Sequence, residues 1–309
     1  MGIIQRQVIL AKIESTYNTD PTPTNTDNAI LVENVQSGHD GVRMIERPAV
    51  RPSIGSLPQV YAGRLGTISF DVEVKGSGTA GTAPEYGPLL RACGIAETIV
   101  AVTSVSYKPA STSHESVTIY CYMDGRLVKY TGCRGNVSFA AEAGTRGLLS
   151  FSMTGHISLV TDASLPAPTL QSTIPVPFIN ASFAADSYAA IISAFNFDLS
   201  NTLVTPPNPN ATDGYAEIRI TKRDVNGSFD PEATVVATYN WITKWVSGAT
   251  YALATGTIGS TAGNRWALSM PAIQYREVSH GDRDGIFTHD VAFGACESSG
   301  DDEFTLLFT

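Results

Sequence analysis

The stretch Gly63–Gly76, GRLGTISFDVEVKG, decides the fold class. From Ile68 it alternates, with Ile68, Phe70, Val72 and Val74 on one face and Ser69, Asp71, Glu73 and Lys75 on the other. A period of two over this length predicts a strand with one face buried and one solvated. A reduced copy, GCRGNVSFAAEAG, begins at Gly132, where Gly66-Thr67-Ile68-Ser69-Phe70 returns as Gly135-Asn136-Val137-Ser138-Phe139. The solvated face is mostly acidic, and Glu142 and Asp198 repeat that feature more weakly.

Working outward, the composition agrees with a mainly β chain. Of 309 residues only 16% are charged, and 27 are glycine, as short strands and many turns require. The length suits one large β domain or two ordinary ones. A formal net charge of −9 without a basic cluster argues against a stable grip on DNA or an anionic membrane, since either needs clustered Lys and Arg. Passing beside DNA without holding it stays open. Cys93, Cys121, Cys133 and Cys296 show no CxxC spacing and read as reduced, mostly buried thiols, with a Cys121–Cys133 bridge across a hairpin as the alternative. No apolar run approaches a membrane span, and MGIIQRQVILAKIEST is too polar for a secretory leader, so a soluble chain folded in a cytoplasm is expected.

Along the chain, residues 1–29 read as an arm and Ile30–Val35 as a short strand. Gln36–Ala62 carries three prolines and weak periodicity, and as a connection it far exceeds the usual length of about 4–6 residues. Its mixture of Arg43, Arg47 and Arg51 with Met44, Ile45, Val50 and Ile54 suits an extended arm lying on another subunit. A short helix is expected around Leu89–Cys93, ending at Gly94. Strands follow at Thr103–Tyr107, Val117–Met123, Leu127–Glu142 and Leu148–Ser158, with Asp124-Gly125 as a hairpin turn. The proline-rich break Thr161–Pro177 marks a domain boundary, giving domains at 1–165 and 166–309.

The second half repeats the order of the first. Strands are expected at Ile179–Phe183, Ile191–Leu199 and Tyr215–Arg223. A helix opening at Asp230-Pro231-Glu232 and ending at Ser247-Gly248 would place Tyr239, Ile242 and Val246 on one stripe. Strands at Ala249–Ile258, Trp266–Met270, Ile273–Val278, Ile286–Phe293 and Glu303–Phe308 close the chain. Two tandem domains, each with one short helix, are therefore expected.

Chemistry is sparse. His280, Asp282, Asp284, His289 and Asp290 could ligate a metal, but a calcium loop needs an oxygen ligand where Ile286 stands. Asp301-Asp302-Glu303 reads as a solvated turn, and no nucleophile elbow, phosphate loop, HExxH or dinucleotide fingerprint occurs. No enzyme activity and no cofactor is expected.

Long arms, an acidic strand face and missing chemistry point to assembly. The segments AKIESTYNTDPTPT, VENVQ, ERPAVRPSIG, GRLGTISFDVEVKGSGTAGTAPEYGPLLRACG, RGNVSF, FNFDLSN, GNRWALSMPAIQY and DDEFTLLFT run in order across nearly the whole chain. In them the sequence resembles the major tail tube proteins of long, non-contractile-tailed bacteriophages. The resemblance implies β-sandwich or barrel domains with a small helix outside, in rings of six tube domains stacked into a hollow virion tail tube. DNA leaves through that tube without specific binding, and inner strands of all subunits join in one lumen barrel. It implies partners in further copies of the chain (three per ring with pseudo-sixfold symmetry, or six) and in tape-measure, tail terminator and tail-tip proteins, with assembly in the host cytoplasm and no membrane. On this reading Asp71, Glu73, Glu142 and Asp198 line the lumen, and Arg43, Arg47 and Arg51 sit in a ring-stacking loop. The inner tube of a contractile system shares the fold. A carbohydrate-binding or decoration β-sandwich of the virion is the alternative from another class.

Overall fold

The computed structural model describes residue 3 and residues 5–309, apart from the side chain of residue 40. It is mainly β. The first half holds β1 (Gln7–Ile13), β2 (Ala29–Ile30), β3 (Glu33–Ile45), β4 (Val60–Glu73), α1 (Gly87–Ala92) and the hairpin β5 (Ile95–Val100) and β6 (Ser104–Pro109). It continues with β7 (Val117–Met123), β8 (Arg126–Glu142) and β9 (Leu148–Ile157). Short strands β10 (Thr161–Asp162), β11 (Ala184–Ala185) and β12 (Tyr188–Ala189) lead into β13 (Ala194–Asp198). Then come β14 (Thr202–Val204), β15 (Arg219–Lys222), β16 (Asn226–Phe229) and α2 (Trp241–Ser247). The chain closes with β17 (Thr250–Ala254), β18 (Trp266–Arg283), β19 (Ile286–Ala295) and β20 (Thr305–Phe308).

Eight of these strands lie side by side, all antiparallel, in the order β3-β4-β9-β8-β13-β16-β19-β18. The opening stretch is their second member, and its alternation holds as far as Glu73: Ile68, Phe70 and Val72 are buried while Ser69, Asp71 and Glu73 face away from the core. Lys75, expected on the solvated face, lies past the strand's end and is buried, its ammonium paired with Glu85 at 3.3 Å. One core-facing row crosses seven strands as Val72, Leu149, Phe139, Phe197, Gly227, Phe293 and Tyr275, all buried except the half-buried Gly227. Fully burying each such phenylalanine contributes about 1.5–3 kcal/mol, so this face holds the sheet to the layer behind it. That layer is built from α1, the β1–β7 pair and the β6–β20–β18 strands. The two halves share this core, for Phe139 of β8 packs on Phe195 and Phe197 of β13 and on Trp266 of β18.

Strand pairings in the two halves run parallel. β1 pairs with β2 and β7, and β11 pairs with β12 and β17. Likewise β7–β8–β9–β4–β3 has the pattern of β17–β18–β19–β16–β13, with a helix after β4 and another after β16.

Several sequence expectations are corrected. The expected arm at 1–29 contains β1, paired with β7 over its whole length and buried on both faces from Val8 to Ala11. The expected loop at 36–62 is largely a long hairpin, and only 46–59 at its tip lies outside strands. Its periodicity is weak because β3 and β4 shift register three times. No helix starts at Asp230: its carboxylate instead accepts the N–H groups of Ser193 and Ala194, and Glu232 bridges to Thr288. α2 starts at Trp241, capped by Asn240, whose side chain accepts from Thr243 N at 2.9 Å, and stops at Gly248 with φ of 66°. Consequently Tyr239 and Trp241 are buried, while Ile242 and Val246 are exposed.

Ile179–Phe183 forms no strand, and of Tyr215–Arg223 only Arg219–Lys222 does. Trp266–Met270 and Ile273–Val278 are one strand. Pro271 is tolerated inside it because it falls past the end of the β20 pairing and at a register shift against β17. All four cysteines are free thiols, and the β7–β8 register sets Cys121 opposite Val128 and Cys133 opposite Val117. Among the described residues, no helix is long and apolar enough to cross a membrane.

Candidate functional site

The face of the eight-stranded sheet that turns away from the core is mostly polar. A straight row crosses it as Glu33, Asp71, Ser150, Ser138, Asp198, Asn226, Gly294 and Gln274, one residue per strand. The next row reads Glu73, Leu148, Ala140, Asn196, Ser228, Ala292 and Glu277. Apart from Leu148 and Gln274, these rows thus consist of short side chains (Ser, Asn, Ala, Gly) with carboxylates set among them. Asp71 and Asp198 share one row, Glu73 lies in the next, and Glu142 stands exposed at the end of β8, opposite Ala194. These four residues, more than a hundred positions apart at the extremes, therefore lie on one surface.

Each carboxylate has a distinct setting. Asp71 accepts from Asn34 Nδ2 at 2.7 Å, and Asp198 accepts from Asn136 Nδ2 at 2.8 Å and from Ser200 Oγ at 3.0 Å. Neutral donors leave those two charges in place. Glu73 sits 3.2 Å from Arg146 Nε, and the same guanidinium reaches Glu33 at 2.7 Å. At the other end Arg283 reaches Asp230 at 3.2 Å and Glu232 at 3.0 Å, and Arg276 reaches Asp224 at 2.8 Å. The arginines bordering the face are thus tied to carboxylates at strand ends, so that among the described residues its middle carries no free basic group. Sequence reading missed Arg146 and Arg283, since each meets its partners across strands rather than along one.

Arg43, Arg47 and Arg51 lie on the β3–β4 hairpin and its tip. Arg43 is used within the chain: its Nη2 donates to Ala62 O at 2.8 Å and its guanidinium lies 5.1 Å over the Tyr215 ring. Arg47 is exposed at the tip, and Arg51 there donates to Gly55 O. Val50 and Ile54 beside them are fully exposed.

Among the described residues no group of three or more His, Cys, Asp and Glu side chains could hold a metal ion, and His280 and His289 simply face each other across the β18–β19 hairpin. Tyr17, His156 and Asp213 do form a chain, with Tyr17 Oη 3.1 Å from His156 Nε2 and Asp213 on Nδ1. Tyr17 also accepts Ile218 N at 2.8 Å, and burial pushes its hydroxyl up to about 12. A neutral phenol fixed on both sides is a tie between the N-terminal segment, β9 and the 205–218 loop, not a nucleophile.

The family model described as phage tail tube protein matches residues 4–295. No curated protein matches the chain.

Proposed function

The chain belongs to the phage tail tube protein family, and from that premise we propose that it forms rings that stack into the hollow tube conducting DNA from capsid to host. As a member of that family it is a structural component of the virion tail that assembles in the host. The finer reading rests above all on the row from Glu33 to Gln274, which crosses eight strands without a large apolar side chain. In the proposal this face lines the lumen. DNA carries about one charge per 1.7 Å of duplex, so a lining of free Lys or Arg would hold it. A lining of short polar groups with Asp71, Glu73, Glu142 and Asp198 repels it weakly from all sides and lets it slide.

Each chain would supply two tube domains, 1–165 and 166–309, so that three chains complete six domains in a ring. The matched pairings of the two halves support this count. Among the described residues β3 pairs only with β4, and β18 beyond Gln274 pairs only with β19, so both ends of the eight-stranded sheet carry free backbone groups. Joining such edges between chains closes the barrel and removes them. The β3–β4 hairpin would carry the ring-to-ring contact. Arg43 stiffens it, while Arg47, Arg51, Val50 and Ile54 meet the next ring. A tape-measure protein inside the growing tube and terminator and tip proteins at its ends complete the set of partners.

Negative-stain microscopy of the purified protein tests the reading. Rings or hollow tubes are expected; monodisperse monomers at high concentration would reject it.

A further inference from the structure

We infer that the β8–β13 seam inside each chain is the template for the seam between chains, with β3 of one chain antiparallel to the far part of β18 of the next and Gly38 opposite Arg283. This rests on the ring reading above and adds the residues that meet.

The register follows from the internal repeat in four steps. First, β8 and β18 each carry one extra residue against their hairpin partner: 132–133 stand opposite Gly155, and β18 shifts between Tyr275 and Glu277, opposite Phe293 and Ala292. Superposing the two bulges equates Gly155 with Phe293 and Arg134 with Glu277. Second, Gly155 pairs with Gly66 and Phe293 with Gly227, so GTISFD from Gly66 overlies GSFDPE from Gly227. The same register continues to the end of the repeat: Asp71 pairs with Ser150, and its counterpart Glu232 bridges to Thr288, the counterpart of Ser150. Third, Thr67 pairs with Gly38 and Ser228 with Asn196, which equates Gly38 with Asn196. Fourth, Asn196 pairs across the internal seam with Ala140, whose counterpart in β18 is Arg283.

The two seams then differ in one chemical respect. Behind the internal seam Phe139 packs on Phe195 and Phe197. Their counterparts at the outer edges are Asp282, Ser37 and, next along, His39. The internal seam is thus held by aromatic burial, whereas the outer one pairs backbone groups behind polar side chains. Free edges lined by polar and charged residues resist non-specific pairing before assembly, as exposed edges must. Glycine at position 38 also leaves room for the Arg283 side chain, which stretches along the same face to Asp230 and Glu232.

Residues directly opposite in an antiparallel pair have Cα atoms about 4.5–5.5 Å apart, within disulfide reach. The test is Gly38→Cys with Arg283→Cys in the full chain carrying Cys296→Ser, oxidised mildly after assembly. A ladder of linked chains on a non-reducing gel is expected. Gly38→Cys with Ser279→Cys, displaced by about 13 Å along the strand, should give monomers. Because Arg283→Cys removes two ion pairs, His39→Cys with Asp282→Cys repeats the test at exposed positions. If microscopy shows rings or tubes but neither in-register pair links, or the displaced pair links instead, the seam is wrong and the ring reading stands. If the unmodified protein forms neither rings nor tubes, both fall together.

Discussion

Glu14 is buried yet fully engaged: its two oxygens accept from Thr118 Oγ1 at 2.5 Å, Gly132 N at 2.7 Å, Ser116 Oγ at 2.6 Å and Asn18 N at 2.8 Å. Removing the carboxylate leaves four donors from three segments unsatisfied. Glu14→Ala should therefore cost about 3 kcal/mol in urea unfolding, against about 0.5 kcal/mol or less for an exposed change such as Glu297→Ala. Asp301 is held below the usual carboxylate range by the Ser111 hydroxyl first, against a burial cost and with help from Arg223, and Asp224 is held low chiefly by Arg276. A lowered folded pKa adds stability that is complete above the unfolded value and is lost as pH falls through the folded one. The melting temperature should decline slightly below about pH 6.5, where burial holds His289 below the usual imidazole range, and drop further below about pH 4, less steeply in Asp301→Asn. At this scale the sequence was legible where alternation was clean, as at Ile68 to Glu73. It was silent on Glu14, three of whose four donors lie more than a hundred residues away.

Among elements, the β8–β13 pair is held on its core side by aromatic packing. Phe139→Ala there should destabilise by about 3–5 kcal/mol, because its ring touches two phenylalanines and Trp266 that cannot close the gap together. The β3–β4 tip should matter little for stability. Replacing Arg43, Arg47 and Arg51 by Ala should leave folded, soluble rings that no longer stack, seen by microscopy as rings without tubes; normal tubes would count against the stacking role. Elements were readable when a turn and a period agreed, as for β7 and β8 around Asp124-Gly125. They were misread where the pattern was interrupted by bulges, as in β3, or by a proline at a register shift, as in β18. At α2 the acid and proline of Asp230-Pro231 have the chemistry of a helix start, but tertiary hydrogen bonds to Ser193 and Ala194 use the acid first.

For the whole molecule, the polar face matters more than any residue on it. The alternation around Asp71 told which side of one strand is wet. Only the register across eight strands brings Asp71 and Asp198 into one row, since that row depends on pairings between distant segments. In the lumen reading the sign of this surface controls DNA movement. Virions carrying Asp71→Lys with Asp198→Lys should assemble tails yet eject DNA more slowly, and higher salt should restore the rate through counterion screening. Unchanged ejection at low salt would put these residues elsewhere. The most direct test is a cryo-electron microscopy reconstruction of the tube formed by the purified chain. The account predicts a closed barrel whose inner wall carries the row from Glu33 through Asp71 and Asp198 to Gln274. Asp71 and Asp198 on the outer surface of the tube would contradict it.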